Sequence, residues 1–289
     1  MRWLALLLAL TLTAPASANE RADRFSAMTY NIRLDVASDG DNAWPHRRDA
    51  VTALVAYHAP DLIGMQEVLL HQKQAIESDL PGYSFVGVAR DDGKDQGEFS
   101  PLGFRRDRFT LLASGTFWLS PTPEAPSKGW DAALPRVASW ARLKDKTSHL
   151  SLLAVNTHFD HVGTAARLES ARQLRRWIGA NRQRGETVVL MGDFNSPLES
   201  PPHDAITDPA PGQIALHDTL AISRTPHFGP LGTFTGFRIE RNDLSPIDHI
   251  FVSDGTAVLR HATLTQQTAG KLPSDHYPVI ADLCVGKGC

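Results

Sequence analysis

Thr187-Val188-Val189-Leu190-Met191-Gly192-Asp193-Phe194-Asn195-Ser196-Pro197 is the stretch on which the reading of this chain turns. Four apolar residues read as a buried strand, which ends in Gly, Asp and Asn before a Pro that forbids continuation. The strand therefore delivers a carboxylate and an amide to one spot. A buried, unpaired charge is costly, so an ionised group at such a strand end fits a place where it meets a cation, a phosphate or a catalytic proton. Asp and Asn also form Asx-turns. What separates the two readings is whether other strands of the chain end the same way.

Several do. Residues 25–30 read as a strand ending in Asn31-Ile32-Arg33, and after a helix opened by Trp44-Pro45 and stopped at Pro60, residues 61–67 form an apolar run closed by Glu67. A second amphipathic helix over 69–80 ends at Pro81-Gly82, and residues 83–88 make a strand. A hairpin is expected through Gly103-Phe104 and Thr110-Leu111-Leu112, followed by a proline-rich segment over 121–136 that is long enough to face a substrate or to pack on the surface. The strand at 150–155 ends in Asn156-Thr157-His158-Phe159-Asp160-His161, where two histidines and an aspartate fall within four positions. The longest helix is expected over 164–184, with Arg167 in its first turn beside that cluster. Leu216-His217-Asp218-Thr219-Leu220 reads as a short helix or turn, and residues 246–252 and 279–283 as strands, the first carrying Asp248 and the second preceded by Ser274-Asp275-His276.

The chain has 289 residues with 42% hydrophobic composition, enough for one large domain, and no repeat or linker divides it. Met1-Arg2, an apolar run over 3–12 that is too short to cross a bilayer, and small residues at Ala16 and Ala18 read as a secretory signal peptide over 1–18. The expected mature protein is thus a single domain over 19–289, a monomer without a membrane span, periplasmic or secreted. With 29 basic and 32 acidic residues the net charge is −3, which weighs against tight nonspecific binding of nucleic acid. Cys284 and Cys289 either close a short disulfide loop, as export permits, or remain free thiols on the tail.

Asn31, Glu67, His158, Asp193, Asn195, Asp248, Asp275 and His276 all lie at or beside the ends of apolar runs, and one sheet edge can bring such positions together. The set is rich in oxygen donors and holds no thiolate, which suits Mg2+ or Mn2+ better than structural zinc. Thr29-Tyr30-Asn31, Gln66-Glu67, Asn156-Thr157-His158, Gly192-Asp193-Phe194-Asn195, Ile247-Asp248-His249 and Ser274-Asp275-His276, in this order, resemble the endonuclease/exonuclease/phosphatase superfamily over nearly the whole mature length. The resemblance implies an α/β fold, a four-layer α/β/β/α sandwich of two mixed sheets flanked by helices, with the site on one edge. It also implies a metal site of Glu67, Asn31 and Asp275. His276 would take a proton or stabilise phosphoryl oxygens while Asp248 orients it, Asp193 and Asn195 would position the nucleophile and bind phosphate, and His158 would donate to a nonbridging oxygen, with Glu98 as its partner.

Phosphoester hydrolysis needs charge neutralisation, an aligned water and a leaving group that is not left as a bare alkoxide; a metal ion and two imidazoles supply the first and an Asp–His pair the second. The segments around Phe117-Trp118, Gly129-Trp130-Asp131 and His158–His161 resemble a bacterial subgroup that includes sugar-phosphate phosphatases, with Arg136, Asp160, His161 and Arg167 as candidate substrate-binding residues or as a structural ion-pair network. The expected activity is an exported, Mg2+- or Mn2+-dependent phosphoesterase acting on a small phosphorylated metabolite such as a sugar phosphate or nucleotide. The alternative is a secreted nuclease acting on DNA or RNA, which the acidic balance disfavours.

Overall fold

The structure is a computed structural model that describes residues 24–209, 212–240 and 245–289; the signal segment read over 1–18 lies outside the described residues. In chain order the elements are β1 (Arg24–Asn31), α1 (Trp44–His58), β2 (Leu62–Gln66), α2 (Leu70–Asp79), β3 (Tyr83–Val86), β4 (Leu102–Arg105), β5 (Phe109–Trp118) and β6 (Val137–Asp145). They continue with β7 (Ser151–His158), α3 (Thr164–Asn181), β8 (Thr187–Asp193), α4 (Pro201–Thr207), β9 (Leu216–Asp218), β10 (Asp248–Ser253), β11 (Thr256–Thr263) and β12 (Val279–Val285).

Two six-stranded sheets form, one in the order β11-β12-β1-β2-β4-β3 and the other β5-β6-β7-β8-β10-β9. Both are mixed, since β1–β2 and β7–β8 pair in parallel and the other neighbours are antiparallel. Period-two alternation explains why the central strands read as continuous apolar runs: each face has something to cover it. On β8, Val189 and Met191 join the core between the sheets, while Val188 and Leu190 pack with Ala171, Leu174 and Ile178 of α3. On β1, Phe25 and Ala27 face the other sheet, while Met28 and Tyr30 pack with Val51, Leu54 and Val55 of α1. The result is the four-layer α/β/β/α sandwich.

The same alternation places the polar residues. Continuing the inward parity of each strand, Asn31, His158, Asp193 and Asp248 fall at one end of the gap between the sheets, where the apolar core runs out. Just beneath them Asn156 bridges the sheets, donating from Nδ2 to Met65 O (2.8 Å) and Pro101 O (2.9 Å) and accepting from Gln66 Nε2 (2.7 Å). Gly64 makes room for that bridge, because a Cβ there would stand 2.3 Å from Asn156 Oδ1.

Some expectations fail. β4 and β5 are not a hairpin: the chain crosses between sheets over residues 105–109, β4 pairing with β2 and β3, and β5 with β6. Arg108 holds the crossing by reaching both Asp61 (2.9 Å) and Asp145 (2.8 Å). Leu216–Asp218 is an edge strand on β10 rather than a helix or turn, and β6 and β11 are strands that the apolar pattern of the sequence does not mark. The cysteines are bridged, Cys284 to Cys289.

Candidate active site

Strand register assembles the site before any loop contributes. In parallel pairing His158 lies beside Asp193, and in antiparallel pairing Asp193 lies beside Asp248, so β7, β8 and β10 present one row of three polar groups. From the other sheet, Asn31 reaches across and donates from Nδ2 to Asp193 Oδ2 (2.9 Å) and Glu67 Oε1 (3.0 Å). His276, carried on the approach to β12, completes the group: its Nδ1 meets Asp248 Oδ2 at 2.9 Å and its Nε2 faces Asp193 Oδ2 at 3.8 Å. Asp193, Asp248 and His276 thereby bring two carboxylates and an imidazole within 4.8 Å of one another.

Electrostatics separates their roles. Burial and the neighbouring Asp248 push Asp193 up to about 7, against the opposing pull of His276. Burial alone would lower His276, yet the charge and hydrogen bond of Asp248 hold it well above its ordinary value. His276 is thus an imidazolium whose Nε2 points at the carboxylate most ready to accept a proton.

His158 is set up in the opposite way. Its Nδ1 lies 3.1 Å from Arg136 Nη1, and because a guanidinium can only donate, Nδ1 must be the bare nitrogen and Nε2 the N–H. Burial, Arg136 and Arg90 all drive His158 well below its ordinary value, so the ring is neutral. Its Nε2 lies 3.2 Å from Asn195 Nδ2, itself a donor held by Phe159 O (3.0 Å), with Asp193 Oδ2 at 3.5 Å. His158 Nε2 and Asn195 Nδ2 thus lie side by side next to Asp193, where both could donate to an anionic oxygen. We expect nitrogen NMR of labelled imidazoles to find His158 neutral and Nε2-protonated down through its ordinary pKa of about 6.5, with Arg136→Met moving its titration upward but not removing the effect of burial; an imidazolium signal at neutral pH in the unmodified protein contradicts the assignment.

Not every expected residue reaches this cleft. Asp160 is 1% exposed and its oxygens are taken up by the amides of Ala133, Leu134, Val162 and Gly163 and by Arg136 Nε, so it holds the loop and the arginine rather than a substrate. Arg136 itself is buried, its fork spent on His158 and on His161 Nδ1 (2.9 Å). Arg167 donates to Asp160 O (3.0 Å) and lines a cleft of about 440 Å³ that begins at Asn195 and is walled by Leu168, Pro197, Pro201 and Pro202. Glu98 is not the direct partner of His158: it pairs with Arg90 at 2.7 Å and stands 3.9 Å from the imidazole. In the 121–136 segment, Asp131 caps α3 through Ala165 N (3.2 Å) and Ala166 N (2.6 Å), which gives this stretch a packing role.

Arg33 and Arg47 complete the polar surround of the site and lie outside the strand-end motifs. Arg33 stands between Asp39 (2.9 Å), Glu67 (3.7 Å) and Asp275 (3.8 Å), and the buried Arg47 binds the carbonyls of Ile32, Arg33 and Pro273. Arg33 was detectable as the third residue of Asn31-Ile32-Arg33. Nothing in the sequence pattern marks Arg47.

Glu67, Asp275 and Asn31 fit a hard divalent cation, since all offer oxygen and none offers sulfur. Burial and the nearby Glu67 raise Asp275, against His276 and Arg33, as expected of carboxylates gathered where positive charge belongs. Glu67 also sits at φ 61°, a left-handed conformation that costs a non-glycine residue about 1 kcal/mol and is typical of functional positions.

The sandwich and this edge site define the class of two-sheet α/β phosphoester hydrolases. Residues 28–276 match the Endonuclease/Exonuclease/phosphatase family model, and the chain belongs to that family, whose enzymes use divalent metal ions. Among similar solved structures, a family member from Bacteroides thetaiotaomicron is 35% identical at a TM-score of 0.84, with 91% of this chain and 98% of that one covered. A mannosyl-6-phosphatase of the same organism is 36% identical at 0.82, covering 90% and 99%. A member from Bacteroides vulgatus is 38% identical at 0.85, covering 91% and 99%. Two uncharacterized mimivirus proteins are 26% and 23% identical, and the chain spans 59% and 40% of their lengths.

Proposed function

We propose that the protein hydrolyses the phosphate ester of a small phosphorylated metabolite, a sugar phosphate first among them, with Mg2+ or Mn2+ at Glu67, Asp275 and Asn31. The observation that carries this reading is the grouping of His158 Nε2 and Asn195 Nδ2, 3.2 Å apart, beside Asp193 and His276 at the ends of the strands. Those groups match the needs of phosphoryl transfer: donors for the nonbridging oxygens, a carboxylate to align water and accept its proton, and an imidazolium facing developing negative charge. The bound cation would supply Lewis-acid neutralisation of the phosphoryl charge. Asp248 holds His276 charged and oriented, and Arg136 fixes the tautomer and orientation of the neutral His158. Likeness to the mannosyl-6-phosphatase supports a sugar phosphate as the substrate.

Purified protein should release phosphate from mannose 6-phosphate and other sugar monophosphates with Mg2+ or Mn2+ and fall silent in EDTA. Nicking of plasmid DNA without monoester hydrolysis would replace this reading by the nuclease one. We propose further that the protein is exported. The segment 1–18 motivates this, and the Cys284–Cys289 bridge agrees with an oxidising compartment. The exported protein should begin at Asn19 on N-terminal sequencing; recovery of intact Met1-bearing chain from the cytoplasm alone would refute it.

A further inference from the structure

His249 follows Asp248, and because successive strand residues point to opposite faces, it projects away from the catalytic row into the layer beneath α4. There its ring lies 5.2 Å from that of His203, centroid to centroid, on α4. Both rings aim a nitrogen at the same atom, Asp218 Oδ2 on β9: His249 Nδ1 at 2.9 Å and His203 Nε2 at 3.1 Å. The three ligand atoms lie within 4.8 Å of one another. We propose that His203, Asp218 and His249 form a second metal site, distinct from the catalytic one, that takes a zinc-like divalent cation and serves structure.

Proton bookkeeping carries the argument. Each of the four ring nitrogens faces an acceptor, because besides Asp218 Oδ2, His249 Nε2 faces Ser196 O at 3.0 Å and His203 Nδ1 faces Asp204 Oδ1 at 3.7 Å. Satisfying all four with protons makes both imidazoles cations around one buried carboxylate. A single divalent cation in place of the two inner protons carries the same charge and leaves both rings neutral, each with its outer N–H directed at the acceptor it already faces. That arrangement, an outer N–H on a backbone carbonyl or carboxylate, is how metal-bound histidines are usually oriented. The outer nitrogen of His203 is buried without a hydrogen-bond partner, and a small rotation toward Asp204 would supply one.

Asp218 is prepared for the same role. Its Oδ1 accepts from Leu220 N (2.8 Å), which leaves Oδ2 for the ion. Two imidazoles and one carboxylate suit Zn2+, whereas the all-oxygen donors at Glu67 and Asp275 suit Mg2+ or Mn2+. Partial exposure of His203 on α4 provides an entry path. An ion here would tie α4, β9 and β10 together and, through His249 and Ser196, would fix the loop that begins at Asn195.

The test is metal binding, read without reference to turnover. Protein stripped with a chelator and dialysed is titrated with Zn2+, and separately with Co2+ to look for the visible bands of a four-coordinate site. We expect one tight equivalent that survives Glu67→Gln and that weakens at least about a hundredfold in His203→Gln, beyond the loss usual for an outer-shell change. Asp218→Asn should abolish it. His203 is a surface-helix position, so its variant keeps the test valid if Asp218→Asn fails to fold. An equivalent lost in Glu67→Gln but kept in His203→Gln overturns the proposal, as does protein that takes up no Zn2+ or Co2+.

Discussion

His276→Ala is expected to lower turnover by about a hundredfold to a thousandfold, the scale of removing one charge-stabilising donor from an active site. The imidazolium is buried, held by Asp248 at 2.9 Å and aimed at Asp193, and water filling the space of an alanine cannot reproduce a fixed positive charge there. The loss should fall on kcat rather than KM, because the charge it neutralises develops in the transition state. The variant also strips Asp248 of its partner, and Asp248 Oδ1 already has no hydrogen bond. Some loss of stability is therefore expected as well. His276→Gln, which can still donate to Asp248, separates the two effects: it should fold more stably than the alanine variant and remain just as slow. Turnover near that of the unmodified protein in both variants would remove His276 from the mechanism.

Much of this site was legible because strand physics leaves a mark in the sequence. A central strand buried on both faces must be apolar throughout, so a polar residue at its end stands out, as Asn31, Glu67, His158, Asp193 and Asp248 do. What the residue type does not reveal is its partner. Asp160 stands two positions from His158 and looks like a second acid for the site, yet backbone amides of two loops consume it. The same holds for Glu98, which Arg90 claims before His158 can.

Partner choice is tertiary. It explains why Arg47 and the grouping of His203, Asp218 and His249, drawn from a helix and two strands, had no signature to find. The missed strands have a different cause. β6 does alternate, with Ala141 and Leu143 facing inward and Trp140, Arg142 and Lys144 less buried, but its mixture of small, aromatic and charged residues hides the period. β11 carries a register shift between Val258 and Arg260, which breaks the alternation outright.

Asp193→Asn is expected to lower turnover by about a thousandfold, the upper end for loss of a general base or of one fixed electrostatic contact, and to raise thermal stability in EDTA. The two effects have one origin. Asp193 Oδ2 is the point on which Asn31, His158 and His276 converge, and Oδ1 is held by Asn195 N at 2.9 Å. An asparagine of the same shape can keep the bond from Asn195 N, but its amide presents hydrogens to Asn31 Nδ2 and cannot accept a proton from water. Meanwhile Asp193 and Asp248 crowd two carboxylates around one imidazolium, with Glu67 and Asp275 beside Arg33, and burial with the charge of Asp248 raises Asp193 to about 7. A carboxylate raised in the folded state stabilises the fold only while protonated, so its contribution disappears as pH climbs through that value. The stability gained by the amide variant should therefore widen from pH 5 to pH 8, as melting curves in EDTA would show, and narrow when Mg2+ is added, because the cation relieves the same repulsion. A variant that is slow and also less stable across that pH range would mean that Asp193 holds the fold rather than the reaction, and near-normal turnover would exclude it from both.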